Sequence, residues 1–140
     1  MSCREVYLGV EAGQNPENDD KLMVASLMGG LSLSYSEVGV VHALSYGLSK
    51  VKGEKHCYAN CLVFQHLEDY YPIGVAEFRQ MMGRNGIQLP QDISKQWSEA
   101  EIRSMSEVAF ALGHMWDHAI GADWKQQISV DKIMDLYKRM

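Results

Sequence analysis

The sequence predicts an all-α protein, a single helical domain over residues 1–140. Three observations carry that expectation. No stretch sustains the apolar–polar alternation of a half-buried strand. Asn85-Gly86, a dipeptide suited to a hairpin, comes after helix-like sequence and reads as a helix stop instead. Cap residues, Pro and Gly divide the chain into segments of helical length. At 140 residues the chain is long enough to bury one genuine core.

Residues from about Cys3 to Val10 fit a short helix. Gly13 to Asp20 is polar, contains Pro16, and reads as an exposed loop. Asp19 or Asp20 is expected to cap a helix over about Lys21 to Tyr35. That helix is apolar on most sides, so a central position is predicted. Ser36 is a candidate cap for a second buried helix over about Glu37 to Val51. Gly29, Gly30 and several Ser residues would let these two pack closely. Lys52 to Lys55 is a turn, and a helix from about His56 to Tyr70 should stop before Pro72. Val75 to Gly83 is amphipathic, closed by Arg84-Asn85-Gly86, and Leu89-Pro90 opens a loop. Ser98 with Glu101 forms a capping box for a helix to about His114. Ser129 and Asp131 start the last helix.

Formal net charge is -5 with no basic stripe, which argues against nucleic acid or an anionic membrane as partner. Between Leu22 and Ser49 the only charged residue is Glu37, yet Ser and Gly dilute the stretch too much for a membrane span. The start of the chain has no apolar signal-peptide core, and Cys3, Cys57 and Cys61 form no disulfide framework. A cytoplasmic protein with free thiols is expected.

The block from Val40 to His66 carries the candidate chemistry. His42 is expected mid-helix and His56 at the start of the next helix, where two imidazoles can converge on one metal ion. His66 lies ten residues beyond His56, roughly 15 Å along a continuous helix, and is not expected to join them. Two ligands alone do not complete a zinc site, and buried histidines are more often core residues. Cys57 and Cys61 share a helix face. They could add to a metal site or form a redox pair, although small packing residues are the commoner role. His114 and His118 flank Asp117 at a spacing that suits either a metal or a polar helix end beside Trp116. Tyr46 lies one turn beyond His42, and Asn60 one turn beyond His56. Tyr46 could contact a bound substrate or be an interior aromatic. Asn60 could orient the His56 imidazole or simply be solvated. The sequence contains no dinucleotide fingerprint, phosphate loop or nucleophile elbow.

In this block the chain resembles the iron-containing (group III) alcohol dehydrogenases. That family carries a V-H-x-x-[SA]-H-x-L helix, with a second His fourteen residues later, typically in P-H-G-x-A-N. His42 and His56 keep that separation, Ala59-Asn60 completes the x-A-N, and His66 falls where the family often has L-P-H. From roughly Cys3 to Phe78 the likeness is closest to the branch that oxidises the C8 hydroxyl of 3-deoxy-manno-octulosonate. The chain departs from the pattern at Tyr46, where many members have a second His. Lys55 and Cys57 flank His56 in place of Pro and Gly.

The resemblance implies a helical bundle like the C-terminal domain of dehydroquinate synthase-like and iron-containing alcohol dehydrogenases. In such enzymes an N-terminal α/β domain binds NAD(P), and Fe2+ or Zn2+ sits between the halves. The metal is held by an upstream Asp and His and by the residues matching His42 and His56. This chain is then expected to supply half of the metal site, with Tyr46 and Asn60 beside it. It is not expected to bind NAD(P) or to catalyse alone. Self-association into a dimer or higher oligomer, or pairing with a separate cofactor domain, is expected from an interface left apolar. The rival expectation is a non-enzymatic remnant that binds a partner. A third is a new site built from His42 and His56, or from His114 and His118, of two chains across a two-fold axis.

Overall fold

The computed structural model describes residues 5, 6, 9 and 15–140. The described elements are helical, in the order α1 (Pro16–Leu33), α2 (Val40–Lys52), α3 (His56–Phe64), α4 (Pro72–Arg84), a 3-10 turn (Ile93–Gln96), α5 (Glu99–Ala111), α6 (Gly113–Ile120), α7 (Trp124–Gln127) and α8 (Val130–Lys138). The all-α expectation therefore holds. The helix expected over Cys3 to Val10 lies largely outside the described residues.

Local chemistry explains most boundaries. Ser98 and Glu101 form the predicted capping box, and the Ser129 side chain accepts from the Lys132 N–H. Gly53 closes α2 in the left-handed region at φ 73. Prolines account for two departures. Pro16 occupies the first turn of α1 and Asn15 caps it, so the helix begins before the acidic residues expected to cap it. Pro72 likewise starts α4, while α3 ends at Phe64. Ser36 does not cap α2: its hydroxyl donates back to the Ser32 carbonyl, and Gly39 stands at the cap position. The helix opened by Ser98 breaks at Leu112, where ψ turns to 53, and α6 starts afresh.

The hub is α2, which packs on α3, α5 and α6, while α5 packs in turn on α8. Val40, Ala43, Leu44, Gly47 and Leu48 give α2 a continuous buried face. Trp116 of α6 is also fully buried and donates its indole N–H to the Ala109 carbonyl at 2.9 Å, so its one polar atom is satisfied. At the end of α2, Lys52 meets Glu101 of α5 at 2.7 Å. That ammonium and the Ser98 cap hold the Glu101 carboxyl down to about 2.

The predicted central place of α1 is overturned. Met23, Val24, Leu27, Met28 and Leu31 face outward within one arc of about 140° at 100° per residue. Met23 is 73% exposed and Leu27 64%, whereas Ala25, on the other side of the helix, is buried. Gly29 and Gly30 meet no neighbour, so the small residues of α1 serve no close packing. An apolar run resembles a core helix in sequence, but burial needs an opposing surface, and none of the described helices provides one.

The tightest crossing is at Gly47. A Cβ there would clash with the Tyr137 hydroxyl and lie 2.6 Å from the Met105 carbonyl oxygen. Tyr137 reaches across from α8 to donate to the Leu44 carbonyl at 2.6 Å. Replacing Gly47 by Ala should destabilise the domain by about 3 kcal/mol through overpacking. Tyr137→Phe should cost about 1 kcal/mol by removing one buried hydrogen bond. Urea midpoints followed by circular dichroism check both values and their order.

Candidate functional site

The turn at Gly53–Lys55 sends the chain back along α2, so that His56, the first residue of α3, comes to rest beside the start of α2. His42 lies in the first turn of α2, not mid-helix as the sequence suggested. The ring centroids of His42 and His56 are 5.2 Å apart. Tyr46 closes the cluster, its ring stacked on His56 at 5.2 Å and tilted against His42 at 6.5 Å. Asn60, one turn into α3, has its Nδ2 3.2 Å from His56 Nε2. All four residues singled out in the sequence thus meet at one place.

The electrostatics favour neutral imidazole at His42. Burial holds its pKa below the usual histidine value, and the neighbouring His56 adds to this. Neutral imidazole is the form that offers a lone pair to a metal. Asn60 Oδ1 is buried without a partner. Turning the amide over would set Oδ1 against an Nε2–H of His56, satisfying both atoms and leaving Nδ1 of that ring free to ligate. Among the described residues no group of three or more His, Cys, Asp or Glu side chains converges as a complete metal site.

Two cavities border the cluster. One, of about 280 Å3, is an apolar cleft reached from His42 and Asn60 and lined by Cys61, Phe64, Tyr71 and Phe78. The other, of about 580 Å3, is bounded by Tyr46, Ser49 and Lys50 of α2 with Val108, Leu112 and Met115 from α5 and α6. The sequence reading missed these wall residues. Leu112 and Met115 lie more than sixty positions from Tyr46, and no local pattern announces such a contact.

The other candidates stay apart. His66 sits in the turn after α3, its Nε2 buried and without a partner. Cys57 is exposed and Cys61 partly buried, both as free thiols. His114, Asp117 and His118 are solvent-exposed on α6, whose inner side carries Met115 and Trp116. None of the described helices is long and apolar enough to cross a membrane.

A family model described as "Fe-containing alcohol dehydrogenase family, C-terminal" matches residues 3–140. Among curated proteins, the 1,3-propanediol dehydrogenase of Klebsiella pneumoniae is 27% identical over 89 residues. That match covers 61% of this chain but 23% of the enzyme, so the chain spans about a quarter of that relative's length.

Two measurements check the local chemistry. Burial pushes the Cys61 thiol pKa up, with a further push from Cys57. Alkylation and peptide mass mapping should therefore find Cys57 modified at least about tenfold faster than Cys61. Burial is also the main force lowering the His66 pKa. A depressed folded value means that stability is fully present above the ordinary histidine pKa, about 6.5, and is lost as pH falls through it towards the lower folded value. His66→Gln should flatten the decline in Tm between about pH 7.5 and 5.5, measured by thermal scans across that range.

Proposed function

The chain belongs to the Fe-containing alcohol dehydrogenase family, matching its C-terminal domain, and from that premise we propose that it is the metal- and substrate-side domain of an NAD(P)- and metal-dependent alcohol dehydrogenase. The observation that carries the proposal is the approach of His42 and His56 to a 5.2 Å ring separation from two different helices. Unrelated core histidines have no need to meet.

The donor set fits half of a divalent site. Two imidazoles suit Fe2+ or Zn2+, and at least one further protein ligand is required for a catalytic zinc. The remaining donors would come from another polypeptide segment, and with them the nicotinamide site. A metal bound there supplies Lewis acidity to an alcohol oxygen and so lowers the cost of its deprotonation. This chain's own contribution is positional. Asn60 fixes the His56 ring through the hydrogen bond to Nε2. Tyr46 stacks on that ring and limits how a substrate can approach it. Phe64, Tyr71 and Phe78 keep the cleft beside His42 apolar, while His56 stands exposed at the surface.

The substrate class we favour is a primary alcohol on a sugar acid, as in the branch that oxidises the C8 hydroxyl of 3-deoxy-manno-octulosonate. The Klebsiella relative is named for 1,3-propanediol, which is also a primary alcohol. On its own the chain is not expected to be catalytically competent.

A second reading rests on α1. Its outward row of Met23, Val24, Leu27, Met28 and Leu31 is a surface that calls for a cover. Either a separately supplied cofactor domain or a second copy of the chain would provide one, and a non-enzymatic partner-binding protein would use the same face.

Metal content by mass spectrometry on tag-free protein tests the main reading. Bound metal in the wild type, lost in His42→Ala and in His56→Ala, is the expected outcome. Mixing with a cofactor domain from a family member should then give alcohol-dependent reduction of NAD(P). Metal retained equally in both variants would remove these residues from the site. Absence of activity from the mixture would favour the partner-binding reading. Sedimentation equilibrium reads self-association independently of both.

A further inference from the structure

The larger cavity offers a chemical signature that the histidine pair does not. Its walls are largely apolar, from Val108, Leu112, Met115 and the Tyr46 ring, and at about 580 Å3 it falls within the range of small-molecule sites. Its one charged lining residue is Lys50. Among the described residues Lys50 has no carboxylate partner, whereas Lys52, two positions on, is engaged by Glu101 at 2.7 Å. Beside Lys50, the Ser49 hydroxyl is buried and also lacks a partner. His42, Tyr46, Ser49 and Lys50 share one face of α2 at helical spacing. The cavity therefore begins at Tyr46, whose ring stacks on His56 at 5.2 Å, and runs from there to a cation.

We propose that this cavity receives the far end of the substrate and that Lys50 binds a carboxylate there. The substrate class is then a primary alcohol carrying a carboxylate about 12 Å from its hydroxyl, the length of eight residues along α2. This rests on the assignment of His42 and His56 as the alcohol-binding end. One ammonium, with no guanidinium or backbone N–H cradle among the wall residues, matches the single charge of a carboxylate better than the double charge of a phosphate monoester. The apolar walls between the two ends suit the carbon chain that joins them. A neutral diol would gain nothing from Lys50, because the exposed ammonium stays hydrated when no anion is present. Lys50 is accordingly a specificity-determining residue, not a catalytic one.

The test is ligand binding by the intact 140-residue chain, read through the methyl resonance of Met115 in methionine-methyl-labelled protein. The probes are 9-hydroxynonanoate, which spans about 12 Å when extended, and nonane-1,9-diol. The wild type should bind the hydroxy acid about fivefold more tightly than the diol, the scale of one exposed ion pair. Lys50→Met should lose that preference while binding the diol unchanged, and Lys50→Arg should keep it. Equal affinities in the wild type, a preference that survives in Lys50→Met, or no shift at Met115 with either probe would each overturn the proposal. A parallel Co2+ titration of the same samples reads the histidine pair separately. Co2+ binding without carboxylate preference sinks the Lys50 assignment alone. Carboxylate preference without Co2+ binding sinks the metal-side reading instead.

Discussion

The mutual placement of α2, α5 and α8 depends on the crossing at Gly47. There α2 passes so close to α5 and α8 that no side chain fits between the Tyr137 hydroxyl and the Met105 carbonyl. The Tyr137 phenol is held well above its ordinary pKa by burial, so it remains a neutral donor to the Leu44 carbonyl. The contact fixes both the depth of α2 and its rotation. Leu44 and Leu48 are thereby turned into the core beside Met105, Ile133 and Met140. Protein interiors are close-packed and transmit such constraints with little slack.

Rotation of α2 in turn decides where its polar face emerges. With Ala43, Leu44, Gly47 and Leu48 inward, His42 and Tyr46 must stand at the helix edge, where the start of α3 returns to meet them. The His42 imidazole is then partly desolvated, which disfavours its charged form. The same desolvation that costs stability at low pH leaves a lone pair available for a cation. Core packing and candidate chemistry thus share one helix, the first on its inner face and the second on its edge.

The outward apolar face of α1 is the counterpart of that economy. It contributes little to the core of this domain, and Ala25 is its one buried side chain. Its Leu and Met residues form an apolar face that none of the described helices covers. That fits a family in which the matched segment is only the C-terminal part of a longer protein.

Much of this was legible in the sequence because it is local. Ser98 with Glu101 is a capping box wherever it occurs before a helix, and Gly53 suits the left-handed end of α2 without reference to the rest of the fold. The fourteen-residue spacing of His42 and His56 was equally plain, together with Tyr46 and Asn60 one turn beyond each. Apart from the caps of α1 and α2, what failed depended on distant residues. The apolar run of α1 gave no sign of which way it would face, because burial is a property of two surfaces and the sequence displays one. The break at Leu112 and the wall it builds with Met115 opposite Tyr46 were invisible for the same reason. By itself, then, the sequence determined the helical class, the caps at Ser98 and Ser129 and the spacing of the two histidines, since each is set by neighbours within a few residues. The tertiary structure alone decided that the histidines touch, that Lys50 overlooks a cavity, and that α1 faces outward, because only packing brings remote side chains into a common space.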